Sequence, residues 1–453
     1  MGNIITYDIN EELKENLLEY GVSVNIDRAI PFAETGLKPV HQRIIYGAYT
    51  TGALSSKAPI KSAKIVGNVI GELHPHGDTS VYDALVRLAQ SWALRYPLID
   101  GQGNFGSRDG DDAAAMRYTE ARLSKLAEEG MLQNIKKNVD WRDNYDETIK
   151  EPVHLPALFP NILCNPTTGI GYGMASSWMP HNLREVGQAI FDYMDGKEPF
   201  IAAPDFPTGG LIINGNDLPD IIKKGRGSVK LRGKYKIEKD SIIFTELPYG
   251  VGAEKILEEL NVLTEEDESL GISEYTNQSN KNGIRAVIKG KRGTNLETLV
   301  NILFAKTSLH SSYSYNQVAI YKGKPVELGL SDIIKIYIAY NLECLKKELT
   351  FDLNKAKERE EIVLGLVKAL EDIDNIIKMI KESDSAANAK IRLVERYHFT
   401  ERQVKAILDM KLAKLAKLEK VELNQELEEL TSQVKRLTEV LATESLQVGI
   451  IRE

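Results

Sequence analysis

The C-terminal part of the chain repeats apolar residues at the spacing of a coiled coil, and this repeat restricts the fold more than any other feature. One series has spacings of 3, 4, 3, 4 and 3 residues and comprises Val363, Leu366, Leu370, Ile373, Ile377 and Ile380. A second has spacings of 4, 3, 4, 3 and 4 and comprises Leu423, Leu427, Leu430, Val434, Leu437 and Leu441. A period of 3.5 keeps one apolar seam facing a partner helix. We therefore expect two long helices in an antiparallel coiled-coil arm.

The segment between the two series predicts a compact tip for this arm. Its sequence, "SDSAANAKIRLVERYHFTERQVKAILDMKLAKL", has the pattern of shorter helices with a polar break. The tip carries enough apolar residues to cover a surface on a second copy, so a homodimer contact is expected there.

Short helices joined by turns are predicted near the N-terminus. Residues 10–20 form an amphipathic pattern whose apolar face comprises Leu13, Leu17 and Leu18. A second helix begins after Pro39, and "SAKIVGNVIGELHP" predicts a third. Gly77 precedes another helix, for which Asp78 or Thr79 is the expected cap.

Positive charge is concentrated among these helices, although the whole chain has a net charge of −8. The window from Arg28 to Lys64 contains six basic residues and one acidic residue, Glu34, which gives +5. A helix-turn-helix or winged-helix module would place its last helix in the major groove of DNA. A helical bundle with a solvated basic face fits the same pattern, and the pattern alone leaves both open.

Residues 151–330 mix short strands with helices. Turns such as "PDFPTGG" and "ELPYGVG" separate them, which is typical of an α+β domain. The two cysteines, Cys164 and Cys344, lie far apart without metal-ligand spacing, and we expect buried, reduced thiols. No apolar run of ~18 residues is present, so no membrane span is expected.

Three short motifs resemble ligand sites, and each has a simpler explanation. The Gly101–Gly106 stretch matches G-x-G-x-x-G but continues into a turn, whereas a dinucleotide site requires a helix. A loop that approaches DNA phosphate fits better. In "HPHGD" a third strong metal ligand is missing, so a histidine there would hold a phosphate or move a proton. For Asp109, Asp111 and Asp112 a solvated turn is favoured over a Mg²⁺ site.

Tyr118, in "AAAMRYTEARL", is either a packed ring or a nucleophile. A phenol has a pKa near ~10, so about one molecule in a thousand is ionised at neutral pH. Attack on phosphorus therefore requires neighbouring positive charge or a base. Arg117, the preceding residue, supplies positive charge. After folding, Arg43, Lys61 and His76 would supply more. The spacing leaves both interpretations open.

Seven segments, in order and similarly spaced, strongly resemble the A subunit of bacterial type IIA topoisomerases, the gyrase and topoisomerase IV family. They are "GLKPVHQRIIY", "HPHGDTSVYDALVRLAQ", "YPLIDGQGNFGS", "DDAAAMRYTEARL", "TTGIGYGMAS", "PHNL" and "PDFPTGG". The C-terminal segment "FTERQVKAILDMKLAKL" extends the likeness into the arm.

The resemblance implies a multidomain α+β fold in four parts. Residues 1–25 would be an N-terminal arm on the B subunit. Residues 26–150 would be a winged-helix breakage-reunion domain. Residues 151–330 would be an α/β tower domain. Residues 331–453 would be the coiled-coil arm with its helical dimerisation tip.

The resemblance also implies the chemistry. Tyr118 would attack a DNA phosphate, release a 3′-hydroxyl and keep a 5′-phosphotyrosyl bond, while Arg117 steadies the phosphate. Ile170 would wedge between base pairs and bend the DNA. Thr79 and Asp83 match positions that anchor quinolone drugs. The residues that would line the active site or grip double-stranded DNA are Arg28, Lys38, His41, Arg43, Lys61, His74 and His76.

Cofactors and partners follow from the same resemblance. The family's Mg²⁺ is held by a TOPRIM domain and its ATP by a GHKL domain, both in the B subunit. This sequence has neither a Walker A pattern nor a convincing Asp-x-Asp after a strand, so we expect no metal site on this chain. A homodimer within an A2B2 assembly, in a bacterial cytoplasm or a phage-infected host cell, is expected.

The sequence stops at Glu453, without the family's C-terminal β-pinwheel and gyrase box. If this is the natural end, we expect relaxation and decatenation rather than negative supercoiling. A shortened form of a longer protein could equally end at this residue. A phage-encoded subunit is a further interpretation. Two rivals are a DNA-binding architectural homologue that does not cut and a coiled-coil scaffold.

Overall fold

The computed structural model describes residues 9–280, 283–410 and 417–453, and it forms two compact units. The first unit ends at Asn341. The second comprises Lys136–Asn138 and Leu342–Glu453. The first eight residues of the predicted N-terminal arm, and residues 411–416 of the predicted tip, lie outside the described residues. The four-part division remains a prediction.

Helices and a small sheet form the N-terminal part of the first unit. The helices are α1 (Ile9–Val24), α2 (Pro39–Thr50), α3 (Ser62–Asn68) and α4 (Asp78–Ala89). Single π-helical turns follow α1 at Asn25–Ala29 and α3 at Val69–Leu73. Strands β1 (Ile60–Lys61), β2 (Ile99–Gln102) and β3 (Glu120–Leu123) pair antiparallel in the order β1-β3-β2. The helices predicted here are confirmed.

The start of α4 differs from the prediction. Gly77 occupies the N-cap position, and no described side chain caps the helix. The Asp78 carboxylate instead accepts a hydrogen bond from the Thr79 N–H at 2.9 Å, so the expectation that Asp78 or Thr79 is the cap is wrong. Asp78 lies in the first turn, where its negative charge interacts favourably with the helix dipole. The buried face follows helical spacing and comprises Val81, Tyr82, Leu85, Val86 and Leu88.

A run of short elements leads from this part to the second sheet. These elements are α5 (Lys125–Met131), α6 (Ile135–Asn138), β4 (Trp141–Asp143), β5 (Lys150–Pro152), α7 (Asn161–Cys164), β6 (Thr167–Ile170), β7 (Ala175–Trp178) and α8 (Leu183–Met194). Two of the strand pairs form antiparallel hairpins, β4 with β5 and β6 with β7.

The remainder of the first unit alternates strands and helices, as the turn pattern predicts. Its elements are β8 (Leu211–Ile212), α9 (Leu218–Lys224), β9 (Arg226–Arg232), β10 (Lys234–Glu238), β11 (Ser241–Glu246), α10 (Ala253–Glu266), β12 (Ile272–Asn277), β13 (Ala286–Gly290), α11 (Leu296–Lys306), β14 (His310–Asn316), β15 (Val318–Tyr321) and β16 (Lys324–Glu327). One sheet has the order β6-β7-β14-β9-β8 and another the order β10-β11-β13-β12. Helices α10 and α11 bury their apolar faces on the latter sheet around Phe244 and Leu260.

The long and short helices predicted for the C-terminal part are present. They are α12 (Leu330–Glu371), α13 (Ile373–Lys381), α14 (Ala386–Tyr397), α15 (Glu401–Leu408), α16 (Lys417–Ala442) and α17 (Glu444–Arg452). Arg359 of α12 pairs with Glu426 of α16, with 2.6 Å between its Nε and Oε1. Coiled-coil packing of the two helices remains a prediction.

The first apolar series does not lie on one helix. The chain leaves the helical conformation at Asp372, whose carboxylate accepts hydrogen bonds of 2.6 Å from Tyr397 and Asn375. This break changes which side of the helix faces inward, so Ile376 is fully buried while Ile377 is only partly buried. A continuous seam from Val363 to Ile380 is therefore wrong. All residues of the series except Ile377 contribute instead to an apolar cluster with Leu393 and Val404.

Candidate active site

Tyr118 lies on an exposed turn immediately before β3. The residue is 65% exposed, which excludes a ring packed in the core. The Arg117 guanidinium carbon lies 4.7 Å from the centre of the Tyr118 ring, within the range of a cation–π interaction. The phenol is therefore accessible to a macromolecular substrate, and the permanent positive charge of Arg117 lies beside it.

The main chain on both sides of Tyr118 is anchored to the protein. The Ala63 N–H donates to the Met116 carbonyl at 3.2 Å, and the Ser62 N–H donates to the Thr119 carbonyl at 3.0 Å. Both donors belong to the first turn of α3, where main-chain N–H groups have no partner within the helix. The start of α3 thus positions the segment that carries the tyrosine.

A second group of predicted residues surrounds a buried carboxylate. Arg43 donates to both oxygens of Glu151, at 3.0 and 2.9 Å, and Arg142 donates to the Oε1 atom at 2.9 Å. The Glu151 residue is 2% exposed. Arg142 and Glu151 face each other across the β4–β5 hairpin. This pairing holds the Arg43 guanidinium in one orientation.

Arg43 also determines the form of His74. The Nη1 atom of Arg43 lies 2.9 Å from Nδ1 of His74. Because a guanidinium only donates hydrogen bonds, Nδ1 must accept, and a neutral ring then carries its proton on Nε2. Burial, followed by the charge of Arg43, lowers the pKa of His74 to about 4; a smaller contribution in the same direction comes from Arg28. The exposed ring of His76 contacts His74 edge-on, with 4.3 Å between the ring centres.

Lys38 and His41 form a third group, together with Arg87 of α4. They line a cavity of about 110 Å³. Lys38 donates to the Thr168 carbonyl at 2.8 Å. Burial, and then the charge of Arg87, lowers the pKa of Lys38 to about 8. Burial and the charges of Lys38 and Arg87 lower the pKa of His41 to about 3.

Ile170 is 89% exposed at the end of β6, next to the turn of the β6–β7 hairpin. Asn25, which is buried, holds that turn through both ends of its amide. Its Nδ2 donates to the Tyr172 carbonyl at 3.1 Å, and its Oδ1 accepts from the Tyr172 N–H at 2.7 Å. A β-carbon at position 171 would collide with Asn25 Oδ1, so any other residue there would displace the Asn25 side chain. An apolar side chain is thus presented to solvent on an anchored hairpin.

The other predicted site residues lie on the surface. Thr79 and Asp83 are exposed on one side of α4. Lys61 is exposed and pairs with Glu120 across β1 and β3 at 2.9 Å. Within the described part of the chain, no hydrogen bond or ion pair joins Tyr118 to Arg43 or His74. The predicted site residues thus lie in separate groups and do not form one cluster.

Comparison with known proteins identifies the family. The family model for the A subunit of DNA gyrase/topoisomerase IV matches residues 28–453. The chain belongs to this family. The DNA gyrase A subunit of Lawsonia intracellularis (strain PHE/MN1-00) is 41% identical, over 98% of this chain and 56% of its own length. The corresponding protein of Ureaplasma parvum serovar 3 is 43% identical, over 98% of this chain and 54% of its own length.

This member of the DNA gyrase/topoisomerase IV family spans about half the length of the curated relatives it matches. The DNA gyrase A subunit of Metamycoplasma arthritidis, which is 42% identical, is covered over 51% of its length. The activity and partners of the complete relatives are therefore treated as proposals for this chain.

Two residues at the site were missed by the sequence interpretation. Arg87 lies two turns beyond Thr79 on α4 and adds its charge to the cavity of Lys38. Its helical spacing from Asp83 was the available signal. Glu151 is the acid beneath Arg43, and no local pattern indicates a contact between residues 108 positions apart.

The structure also bears on the weaker motifs. The Gly101–Gly106 stretch is followed by a turn in which Asp111 accepts from the Ser107 hydroxyl at 2.7 Å, as expected for a solvated turn. Among the described residues, no group of three or more His, Cys, Asp or Glu side chains is arranged to hold a metal ion. Cys164 and Cys344 are buried and form no disulfide, as predicted. Over the same described residues, no helix combines the length and the apolar character that crossing a membrane requires.

Proposed function

We propose that this chain is the DNA-cleaving A subunit of a type II topoisomerase, with Tyr118 as its nucleophile. The observation that carries the proposal is the exposed phenol of Tyr118, held on an anchored turn with Arg117 against its ring. Membership of the DNA gyrase/topoisomerase IV family supports it.

The proposed reaction is a transesterification. The Tyr118 oxygen attacks a backbone phosphorus atom and forms a phosphotyrosyl bond to the 5′ side of the break. The bond from phosphorus to the 3′ oxygen breaks, and a proton equivalent to the one lost by the phenol ends on the 3′-hydroxyl. One phosphodiester replaces another, so religation needs no ATP. Arg117 stabilises the charge that develops on the phosphate oxygens.

The other basic groups are proposed to bind and orient DNA. Arg43 and the Nε2–H of neutral His74 are hydrogen-bond donors of fixed direction, and Arg28 and His76 lie beside them. Lys38, His41 and Arg87 form a separate basic group. Phosphate contacts of this kind supply most of the sequence-independent affinity for DNA. Lys61 adds charge on the surface near the tyrosine segment.

The elements around these residues suit a winged-helix module for DNA binding. Three helices, α2 to α4, accompany the antiparallel sheet β1-β3-β2. Ile170 on its hairpin is the proposed wedge that bends the DNA. Thr79 and Asp83 are the proposed quinolone-contact positions. The strand-rich remainder of the first unit is proposed as the tower domain.

The assembly is proposed to be a homodimer combined with a B subunit. Mg²⁺ and ATP are proposed to bind the TOPRIM and GHKL domains of that partner, as membership of the DNA gyrase/topoisomerase IV family suggests. The exposed leucines of α1, Leu13, Leu17 and Leu18, are proposed to pack on the B subunit. In the second unit, an open hollow lined by Ile380, Ala386 and Leu408 supports the dimer contact at the tip.

A cleavage assay tests the proposal. The chain is mixed with an active gyrase or topoisomerase IV B subunit, Mg²⁺ and supercoiled plasmid, quenched with detergent and digested with protease. We expect linear DNA with blocked 5′ ends, and its loss in Tyr118→Phe. Tyr275→Phe is the control, because this tyrosine donates its hydroxyl to the Asn261 side chain in another part of the unit.

The outcomes separate the proposal from its rivals. Covalent adduct that persists in Tyr118→Phe would reject the site assignment. Tight DNA binding without adduct, with every active B subunit tested, would favour a non-cleaving architectural protein. A coiled-coil scaffold would show no DNA affinity that falls steeply as salt rises.

A further inference from the structure

One buried phenol contacts both ends of the segment that carries Tyr118. Tyr82 lies on the buried face of α4 and is 7% exposed. Its hydroxyl donates to the Ala114 carbonyl at 2.6 Å and lies 2.8 Å from the Thr119 hydroxyl. Ala114 and Thr119 enclose Arg117 and Tyr118 in the sequence. A single side chain therefore links the two ends of this turn, in addition to the main-chain bonds from the start of α3.

The contact continues into the anchor on α3. Thr119 is fully buried, and its Oγ1 lies 2.9 Å from the Ser62 hydroxyl. Ser62 is also fully buried, and its N–H bonds to the Thr119 carbonyl. Tyr82, Thr119 and Ser62 thus form a row of hydroxyl groups inside the protein. Buried hydroxyls that lose a partner are costly, so the row favours one arrangement of the turn.

We propose that Tyr82 is a positioning residue for Tyr118. This role rests on the proposed function, since it assumes that Tyr118 attacks DNA. The Tyr82 hydroxyl is turned into the protein toward Ala114 and Thr119, so it acts through the main chain and not on the reacting atoms. Its removal allows the turn to relax, and a nucleophile misplaced by about 1 Å loses up to ~100-fold in rate. DNA affinity depends on other residues and is unaffected.

The first variant is Tyr82→Phe, which keeps the buried ring and removes only the hydroxyl. The rate of covalent adduct formation in a single turnover is measured against DNA concentration, with Mg²⁺ and the B subunit present. We expect the rate at saturating DNA to fall roughly 10- to 100-fold, while the DNA concentration for half-saturation stays unchanged. A general loss of structure would change both quantities and the thermal midpoint.

The matched control is Tyr337→Phe. Tyr337 also donates its hydroxyl to a main-chain carbonyl, that of Leu158, at 2.8 Å, but it lies on α12, far along the chain from the tyrosine segment. The loss of one such bond should leave the cleavage rate as in the unmodified chain. This comparison separates the position of the hydrogen bond from its general contribution to folding.

A second pair of variants tests the contact between Tyr82 and Thr119 by changing the threonine. Thr119→Val removes the hydroxyl that faces Tyr82, and Thr119→Ser keeps it. We expect the slow rate with valine and a rate near normal with serine. The effects of Tyr82→Phe and Thr119→Val should combine to less than their product in the double variant, because the contact between the two hydroxyls is lost in each single variant.

The outcomes distinguish this inference from the proposed function. If Tyr118→Phe abolishes the adduct while Tyr82→Phe and Thr119→Val cleave at the normal rate, the positioning role is rejected and the nucleophile stands. If Tyr118→Phe still forms adduct, the proposed function itself fails. If Tyr82→Phe does not fold, the comparison of valine with serine at position 119 decides.

Discussion

At the scale of single residues, Glu151 orients Arg43 and, through Arg43, determines the tautomer of His74. The carboxylate has almost no exposed surface, and it accepts hydrogen bonds from Arg43 and Arg142. Arg43 can then present Nη1 to His74 in one direction only. The carboxylate therefore sets the histidine tautomer without touching the histidine itself.

We predict that Glu151→Gln weakens both stability and cleavage. Glutamine keeps one acceptor oxygen but no charge, so two guanidinium groups lose their counter-ion. The expected loss is about 1–3 kcal/mol of unfolding free energy. The measurements are the thermal midpoint and the rate of adduct formation. Arg43 would then be free to turn away from His74, so the cleavage rate falls as well.

The control for this variant is Asp143→Asn in the same hairpin. Asp143 pairs with Lys150 across β4 and β5 at 2.9 Å, but both side chains are more than half exposed. Exposed pairs contribute about 0–1 kcal/mol. Equal effects of the two substitutions would contradict the role given to Glu151.

The residues at the site were predictable to different degrees. Tyr118 and Arg117 stand next to each other in a motif, so their proximity followed from the sequence. The contact of Arg43 with Glu151 joins α2 to β5, and it depends on the fold of everything between them. Glu151 is the last residue of a stretch rich in acidic residues. By composition alone, such a stretch resembles solvated surface.

At the scale of elements, the β6–β7 hairpin depends on a residue far away in sequence. The amide of Asn25 bonds to both the N–H and the carbonyl of Tyr172, as a neighbouring strand would. Lys38 adds a bond to the Thr168 carbonyl on β6. These contacts hold the hairpin that carries Ile170, and the wedge proposed for this residue requires such a support to separate stacked base pairs.

We predict that Asn25→Ala reduces DNA bending. Alanine removes both hydrogen bonds to the turn, so the hairpin would yield if Ile170 acts as the proposed wedge. Fluorescence energy transfer between the ends of a short duplex measures the bend. We expect a smaller bend in Asn25→Ala, and a similarly small one in Ile170→Ala.

Asn214→Ala serves as the control. Its amide also bridges main-chain groups, the Ser228 carbonyl at 2.9 Å and the Lys230 N–H at 2.8 Å, but on β9. Normal bending in this variant is expected. Normal bending in Asn25→Ala would show that the hairpin needs no support from the asparagine.

Helices were more predictable than their interruptions. The period of apolar residues identified α1, α4 and α16 because that period is a local property. At the break, Asp372 accepts a hydrogen bond from Tyr397, 25 residues further along the chain, and this contact is not a local property. A heptad count treats both sides of such a break as one helix.

At the scale of the whole molecule, the groups proposed for chemistry all lie in the first unit. Tyr118, Arg43, Lys38 and Ile170 precede Asn341, whereas the proposed dimer contact lies in the second unit. The first unit also buries histidines in neutral form. The pKa of His181, which is fully buried, is lowered by burial to about 4, and His41 and His74 reach about 3 and 4.

These histidines predict a loss of stability in mild acid. Their pKa values in the folded state lie below the unfolded value of about 6.5. Well above pH 6.5 they are neutral in both states and contribute no pH dependence. As the pH falls toward 4, the unfolded chain takes up protons that the folded chain excludes. Each histidine then lowers the unfolding free energy by up to about 1.4 kcal/mol per pH unit.

Calorimetry between pH 7 and 5 measures this effect, because most carboxylates remain ionised over that range. We expect the thermal midpoint of the first unit to fall with decreasing pH. The proton uptake on unfolding, obtained from buffers with different ionisation enthalpies, should approach one proton for each of His41, His74 and His181 at about pH 5.5. A histidine that titrates normally in the folded protein takes up no additional proton on unfolding. An uptake below one proton in total would therefore mean that at least two of these rings titrate normally in the folded protein, and the lowered pKa values given for these histidines would have to be abandoned.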